Sequence, residues 1–406
     1  MKILSIIAQK PSSTGSGVYL TELVKCFKEL GANQQIICGI YGDDKINDED
    51  GIKYNKVIFN TSELPIKIVG MSDVMPYESM KYSDFINDDI KLSYWGNAFK
   101  KIITDTLISF CPDVIICHHL YLLTAYVVNI VAELKNNNRI AECKICGICH
   151  NTDLRQFRQT NLKREFIKNS IENLVMIFAL SAEQVKVIKD IFNIDENIIK
   201  TIGIGYNNKI FYNKNKVREK NKIIYVGKVS NKKGLLSLIK AVNLLNDDSI
   251  ILDIVGGAGD RLEYDNILIE SKKSKSSIRF LGIKNQYELA DLYNEHNIFI
   301  LPSFSEGMPM VSLEALACGC KVIISDLPGI KDFLDKNVEG ASIRYVSLPK
   351  LLNVDEVESD ELDKYEERLA NIIKECLNDK EQYTPNLNNI SWMNIAKSLL
   401  FNIETV

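Results

Sequence analysis

Two glutamates, Glu306 and Glu314, stand eight positions apart in the stretch FILPSFSEGMPMVSLEALACGCKVIIS. This stretch predicts a buried strand that ends at Pro302, a loop that carries Glu306, and a helix that begins at Pro309 and ends at Gly319. The amides at the N-terminus of such a helix face the strand ends and can bind a diphosphate. Because carboxylates accept paired hydrogen bonds from vicinal hydroxyls, the arrangement is typical of a sugar-nucleotide site.

A second stretch, CKICGICHNTDLR, carries a C-x-x-C-H pattern that ends at His150, with the spacing of a c-type haem attachment site. The run also predicts a buried strand, in which Cys143 and Cys149 face one way and Cys146 the other. Three thiols so arranged cannot bind one metal ion without breaking the strand, and haem attachment normally requires export. We expect no metal or cofactor here, and a visible spectrum would test the haem alternative.

Strand-like runs such as KILSIIA, PDVIIC, KIIYVG and IILDIVG alternate along the chain with helical runs of apolar periodicity. Repeated βα units predict the α/β class, parallel sheets with helices on both faces, and ligands at the carboxyl ends of the strands. We predict domains at residues 1–205 and 206–390, and a C-terminal helix, 391–406, that packs back on the first domain. The polar segment 206–222 is predicted to be a solvated interdomain linker.

The composition is that of an ordinary globular protein, with 406 residues, 46% hydrophobic and 25% charged. A net charge of −4 gives no reason to expect a nucleic-acid partner. The opening MKILSIIAQKP is too short for a signal-peptide core and predicts a first strand. The run LYLLTAYVVNIVA is too short to cross a bilayer and predicts a buried helix, so we expect a cytoplasmic protein.

The stretch PSFSEGMPMVSLEALACG resembles the E-x7-E motif of the family 4 retaining nucleotide-sugar glycosyltransferases, which have the GT-B fold. The resemblance extends through YVGKVSNKKGL, LDIVGGAG, IRFLGIKNQYELADLY and PGIKDF, and covers the chain from about residue 203. In the first half it rests on a glycine-rich loop and two histidine-bearing strand ends. It implies two Rossmann-like parallel-sheet domains facing a central cleft, with the acceptor in the first and the nucleotide sugar in the second.

The resemblance also implies roles for particular residues of the second half. Glu306 would lie at the donor sugar, and Glu314 would hold the ribose hydroxyls. The basic pair at the diphosphate would be Lys228 and Lys233, with Lys228 standing where the family usually has Arg. Backbone amides of the loop and of the helix start would lie against the sugar and phosphates, namely those of Gly307, Met308, Met310 and Val311.

In the first half, Gly15 and Gly17 follow the first strand and can let the backbone pass close to a ligand. The family often has paired glycines here, near the donor phosphate and the acceptor. His150 would contact the donor sugar or the transferring centre. His118 and His119 end another strand, and the sequence does not decide which of them faces the cleft.

These features predict a retaining glycosyltransferase that needs no metal ion, with no catalytic base identified. A GT-B sugar-nucleotide epimerase and a non-catalytic sugar-nucleotide-binding module are the alternatives. The DED triplet at 48–50 imitates the metal motif of the other glycosyltransferase fold, but it lies in a polar loop and is predicted to be solvated. The basic run LRQFRQTNLKREFIKNS is a possible site for anionic lipid or an anionic acceptor, a contact that flotation with anionic liposomes would reveal.

Overall fold

The computed structural model describes all residues except 47, 49, 50, 72–74, 160–162, 259 and 353–356. The chain divides into two compact units. The first comprises residues 1–204 and 392–406, and the second comprises residues 205–391. Within the described residues, no helix combines the length and the apolar composition that crossing a bilayer requires.

The first unit contains a parallel sheet whose strands alternate with helices. The strands are β1 (Lys2–Ile6), β2 (Asn33–Tyr41), β3 (Lys53–Phe59), β4 (Val114–His118), β5 (Lys144–Ile148), β6 (Met176–Ala179) and β7 (Ile199–Thr201). The helices are α1 (Gly15–Glu29), α2 (Tyr82–Ile86), α3 (Asp89–Phe110), α4 (Leu122–Asn136), α5 (Thr152–Gln159), α6 (Arg164–Ile171) and α7 (Ala182–Phe192). The C-terminal helix, Trp392–Glu404, belongs to this unit and packs on α1.

The strand order in this sheet is β3-β2-β1-β4-β5-β6-β7, so the order reverses between β1 and β4. These two strands pair in parallel, with Ile6 opposite Cys117. In open parallel sheets, ligands bind at the carboxyl ends of the strands where the order reverses. The loops after β1 and β4 are therefore the first place to search this unit for a site.

Both faces of the first sheet are buried, which explains why its strands are apolar almost throughout. Leu4 and Ile37 belong to the larger core cluster, together with the aromatic face of α3. Ile36 and Cys38, the neighbours of Ile37 on the same strand, belong to a separate cluster with Leu20 of α1. Alternate residues of one strand thus serve opposite faces of the sheet.

The second unit repeats the pattern. Its strands are β8 (Glu219–Val226), β9 (Ile251–Val255), β10 (Ser277–Gly282), β11 (His296–Leu301), β12 (Lys321–Ser325) and β13 (Ile343–Val346). Its helices are α8 (Leu235–Leu245), α9 (Arg261–Ser271), α10 (Gln286–Glu295), α11 (Met310–Ala317), α12 (Ile330–Asn337) and α13 (Ser359–Asn378). The described strands form one parallel sheet in the order β10-β9-β8-β11-β12-β13, which reverses between β8 and β11.

The cysteine-rich stretch forms the buried strand β5, as predicted. Cys143 and Cys149 contact the larger core cluster of the first unit, whereas Cys146 lies outside that cluster. The predicted alternation of the thiols between the two faces is therefore confirmed. Burial raises the pKa of the Cys146 thiol to about 12, so this group is a packed apolar side chain rather than a reactive thiolate.

The segment 206–222 is not the solvated linker that its composition predicts. Phe211 is fully buried, and Lys214 forms an ion pair of 2.7 Å with Asp291 of α10. Arg218 donates to the backbone carbonyl of Cys318 at the end of α11, and β8 begins at Glu219. Lys214 and Arg218 thus bind groups of the second unit, which composition alone cannot show.

A buried ionic cluster links three elements of the second unit. Asp253 of β9 is 1% exposed and accepts two hydrogen bonds of 2.6 Å from Arg279 of β10. Its Oδ2 also lies 2.8 Å from Nε2 of His296, whose Nδ1 is 2.6 Å from the carbonyl of Leu292. Burial alone would raise the pKa of Asp253, but the hydrogen bonds from His296 and Arg279 outweigh it and hold the pKa at about 2.

We predict that Asp253→Ala lowers the free energy of unfolding by about 3 kcal/mol, because it leaves the buried His296 ring without its acceptor and removes the partner of the partly exposed Arg279. Since the pKa of Asp253 falls from 3.8 to about 2 on folding, its contribution is complete above pH 3.8. That contribution is lost as the pH falls through 2. Urea unfolding at pH 7 and at pH 2.5 measures both effects.

The control is Asp291→Ala, which removes the surface ion pair with Lys214, and it should cost less than about 1 kcal/mol. Equal losses in the two variants would contradict a structural role for the buried cluster.

Candidate functional site

Two loops at the carboxyl edge of the second sheet fit against each other where the strand order reverses. The turn after β8 leads into α8 through Gly234, whose φ is +67°. A Cβ atom on Gly234 would lie 1.9 Å from the carbonyl oxygen of Pro302, at the end of β11. Beside this contact, the amide of Phe304 donates to the carbonyl of Lys232 over 3.0 Å. The two loops are therefore joined through their backbones.

This junction brings together the predicted basic and acidic residues. Lys233 Nζ lies 2.8 Å from Oε1 of Glu306, although the two residues stand far apart in the sequence. The Ser303 hydroxyl donates to the same carboxylate oxygen over 2.7 Å and is itself fully buried. Glu306 is thus held by one cation and one hydroxyl in a fixed orientation.

Lys228 completes the group. Its side chain is half-buried, and its backbone carbonyl accepts a hydrogen bond of 2.6 Å from the Tyr225 hydroxyl. Burial and the neighbouring charge of Lys233 lower the pKa of Lys228, while Glu306 acts in the opposite direction. Two lysines and one carboxylate leave a net positive charge, which suits an anionic ligand.

Helix α11 begins beside this group, at Met310, one residue later than the sequence predicts. Pro309 is the N-cap residue, with φ −81° and ψ 97°, and no side chain caps this end of the helix. The amides of Met310 and Val311 therefore lie where a bound anion would be stabilised by the helix terminus. Gly307 and Met308 lie in the half-buried loop that precedes it.

The other end of α11 follows the prediction more closely. The helix ends at Ala317, and Gly319 takes a left-handed conformation with φ +88°. Arg218 donates to the carbonyl of Cys318, so a cation binds the negative end of the helix dipole. This contact fixes the helix at the end opposite to the predicted phosphate site, and no local pattern in the sequence predicts it.

Glu314 lies in the middle of α11 and is only 8% exposed. It lies near Tyr293, where burial first and the Glu314 charge second raise the pKa of the phenol. Glu306 therefore lies in the loop beside the Lys233 ammonium group, and Glu314 is buried within the helix that follows.

In the first unit, the predicted glycine loop lies after β1. Thr14 is the N-cap of α1 and accepts a hydrogen bond of 3.1 Å from the amide of Gly17, while Gly15 begins the helix. A Cβ atom on Gly17 would lie 2.7 Å from the carbonyl oxygen of Lys10 and 3.0 Å from the amide nitrogen of Ser12. Gly17 is therefore required by the chain's own loop, a packing reason that exists whether or not a ligand binds there.

The histidines of the first unit lie together at the ends of β4 and β5. Nδ1 of His118 is 3.0 Å from Nε2 of His150, and the ring of His119 lies 4.9 Å from that of His150. Burial, reinforced by the neighbouring histidines, lowers the pKa of His118 to about 3 and that of His150 well below its usual value. These rings are therefore neutral at physiological pH.

Asp153 is the residue that the sequence did not single out and on which this cluster depends. Its carboxylate is fully buried and accepts from the amide of Leu120, after β4, over 2.8 Å. It also accepts from the amides of His150 and Leu154, over 3.2 and 3.1 Å. The only signal in the sequence was a carboxylate three residues after a strand-end histidine.

The remaining predicted positions lie elsewhere. Asp48 accepts a hydrogen bond of 2.8 Å from the amide of Tyr54, while Glu49 and Asp50 lie outside the described residues. The basic run is divided between α5 and α6, and residues 160–162 between them are not described. Arg164 donates to the carbonyl of Phe157 over 2.7 Å and lies over its ring, so this cation already makes contacts within the first unit.

Residues 207–376, which lie within the second unit, match the family model Glycosyl transferases group 1. An uncharacterized glycosyltransferase of Methanocaldococcus jannaschii is 28% identical over 234 residues, which are 57% of this chain and 56% of that protein. The chain thus spans about half the length of this curated relative.

Two solved structures are similar over the whole chain. Sucrose-phosphate synthase from Thermosynechococcus elongatus has a TM-score of 0.66 at 16% identity, and covers 100% of this chain and 98% of its own. HepE from Anabaena, in complex with UDP, has a TM-score of 0.67 at 13% identity and covers 100% of both chains. The predicted fold class, α/β with two Rossmann-like units of the GT-B type, is confirmed.

The Gly234 junction can be tested by comparing two glycines of one unit with nearly the same backbone conformation. Gly282 has φ +69° and Gly234 has φ +67°, but only at Gly234 would a Cβ atom meet another group within 4 Å. We predict that Gly282→Ala costs about 1–2 kcal/mol of left-handed strain. Gly234→Ala should cost roughly 2 kcal/mol more, because a backbone carbonyl blocks the methyl group.

Urea unfolding of the two variants checks this difference, with the wild type as reference. The same loss of unfolding free energy in both variants would mean that the two loops can move apart to admit the methyl group without losing stability.

Proposed function

We propose that this protein is a retaining glycosyltransferase that moves a sugar from a nucleoside-diphosphate sugar to an acceptor without a metal ion. The observation that carries the proposal is the group of Lys228, Lys233 and Glu306 at the strand-order reversal of a glycosyl transferases group 1 domain. We take a UDP-sugar as the default donor, and the fold similarity to HepE bound to UDP supports this choice. The acceptor is a glycan, a glycolipid or a small molecule.

The chemistry required is stabilisation of a departing nucleoside diphosphate. Lys228 and Lys233 supply fixed positive charge, and the amides of Met310 and Val311 supply oriented dipoles. Because Lys228 is half-buried, its charge acts in a medium of lower dielectric constant than water and is the stronger for it. The amides of Gly307 and Met308 are assigned to the donor on the same grounds.

Retention requires no carboxylate nucleophile if the leaving group departs and the acceptor attacks on the same face of the sugar. We assign Glu306 to the donor sugar, His150 to the transferring centre and Glu314 to the ribose. Gly15 and Gly17 are assigned to the donor-facing loop of the first unit. Peripheral contact of α5 and α6 with an anionic membrane stays a weaker proposal, since Arg164 is engaged within the fold.

The epimerase and the non-catalytic module remain the alternatives. The group 1 match favours transfer over epimerisation. The ion pair between Lys233 and Glu306 favours an intact site over a decayed one, because a protein that merely keeps the fold has no need to hold this charge pair. Incubation with UDP-N-acetylglucosamine, followed by separation of epimer, free UDP and glycosylated product, distinguishes the three.

Replacing Glu314 and replacing Glu306 should affect nucleotide affinity and turnover differently. We predict that Glu314→Ala weakens binding of free UDP about tenfold, because charge-assisted hydrogen bonds to the ribose are lost. Glu306→Ala should leave the affinity for free UDP nearly unchanged, since it removes the partner of Lys233 and not a nucleotide contact. Its turnover should nevertheless fall.

Calorimetric titration with UDP and steady-state transfer rates measure the two quantities separately. If both variants lose affinity for free UDP to the same extent, the division of roles between these glutamates is wrong.

Transfer should be independent of divalent ions, because two lysines already neutralise the diphosphate and would repel a cation. We predict full activity in EDTA. Replacing both Lys228 and Lys233 by Met should remove about 1.5–3 kcal/mol of stabilisation for each lost contact, and added Mg²⁺ or Mn²⁺ should not compensate. Lys232→Met is the matched control, since its exposed side chain belongs to the same turn.

Steady-state rates with and without EDTA decide the matter. Activity that disappears in EDTA and returns with Mn²⁺ would refute the phosphate assignment and direct attention to Asp48 and Asp50.

A further inference from the structure

Three of the chain's four histidines gather at two adjacent strand ends of the first unit. His118 is the last residue of β4, His119 follows it with a φ of +75°, and His150 follows β5. The proposed function gives a role to His150 alone among these three histidines. The contacts of its ring show how His118 and His119 lie relative to it.

The two neighbours of His150 stand in different relations to it. The ring planes of His118 and His150 are nearly parallel, inclined by 11°, with centroids 5.2 Å apart. Nδ1 of His118 lies 3.0 Å from Nε2 of His150, within hydrogen-bonding distance. The ring of His119 is inclined by 59°, and among the described residues no hydrogen bond joins it to His150. Instead, its backbone carbonyl accepts from the Thr124 hydroxyl over 2.6 Å.

The hydrogen bond between His118 and His150 couples the tautomers of the two rings. Burial holds both rings neutral, as the lowered pKa values show, and a neutral imidazole has one donor and one acceptor nitrogen. One ring must therefore donate to the other, so both rings carry their proton on Nδ1 or both carry it on Nε2. Nε2 of His150 is occupied, which leaves Nδ1 as the ring nitrogen that a substrate can meet.

The surroundings hold the pair rigidly. The Asp153 carboxylate accepts from the backbones of both strand-end loops, at Leu120 and at His150. The buried ring of Tyr19 lies edge-on to His150 with centroids 5.3 Å apart, and its hydroxyl donates to the carbonyl of Gly203 over 3.0 Å. The orientation of His150 is therefore set by groups that are themselves fixed, which is the arrangement expected around a residue whose ring must be oriented.

We propose that His118, and not His119, is the positioning residue of His150, and that it holds His150 in one tautomer with Nδ1 presented to the substrate. The proposal rests on the proposed function for its kinetic consequences. The hydrogen bond itself can be tested without turnover.

The kinetic test compares three single variants. His118→Phe keeps an aromatic ring at this position and removes the hydrogen bond, so kcat should fall roughly 10- to 100-fold with little change in KM for the donor. His118→Asn places an amide near the position of Nδ1 and should recover most of the rate. His119→Asn should be close to the wild type, because Asn tolerates the left-handed conformation of this position.

A double variant separates positioning from a general structural effect. Adding His118→Phe to His150→Ala should lower kcat no further, because the partner through which His118 acts is already absent. Additive losses would overturn the proposal, as would equal losses in His118→Phe and His118→Asn, or a loss in His119→Asn as large as in His118→Phe. Thermal unfolding midpoints within a few degrees of the wild type would show that the variants are folded.

Nitrogen-15 NMR of the imidazole rings distinguishes failure of this inference from failure of the proposed function. In the wild type, His150 should show the shifts of a single neutral tautomer at pH 7, and His118→Phe should change that pattern while His119→Asn should not. A tautomer mixture at His150 in the wild type would refute this inference whatever the enzyme does. A single tautomer in a protein that transfers no sugar would refute only the proposed function.

Discussion

The close approach of Gly234 to the carbonyl of Pro302 is the constraint on which the second unit's site depends. The loops that follow the adjacent strands β8 and β11 lie side by side, but strand pairing alone does not bring their backbones into contact. Because Gly234 has no side chain, its backbone can lie directly against the carbonyl of Pro302. The backbone bond between Phe304 and Lys232 then sets the register of the two loops, and Lys233 reaches Glu306 as a result.

The two units use the same topology for opposite electrostatic purposes. At the strand-order reversal in the second unit, Lys228 is partly buried and lies close to the ammonium group of Lys233. A bound anion would offset the repulsion between these two positive charges. At the reversal in the first unit, burial makes His118 and His150 neutral, and they form a hydrogen bond with each other instead of an ion pair.

Two buried carboxylates outside these sites are supplied with hydrogen-bond donors. Asp253 receives hydrogen bonds from Arg279 and His296, and Asp153 receives them from backbone amides of two loops. An unpaired carboxylate in either position would be expensive to bury. Asp253 holds neighbouring strands of the second unit together, and Asp153 holds the two strand-end loops of the first unit. Neither residue belongs to a candidate site, but both fix elements of the unit that carries one.

The sequence by itself determined the alternation of strands and helices and the α/β class, because apolar periodicity and local turn residues are properties of short segments. It also showed that the thiols around Cys146 alternate between the faces of a strand. Only the tertiary structure decided that Lys233 pairs with Glu306, that Arg218 binds the end of α11, and that His118 rather than His119 bonds His150. These contacts join residues far apart in the chain, and they depend on strand order, on loop conformation and on a left-handed turn at His119, none of which a local pattern of residue types encodes.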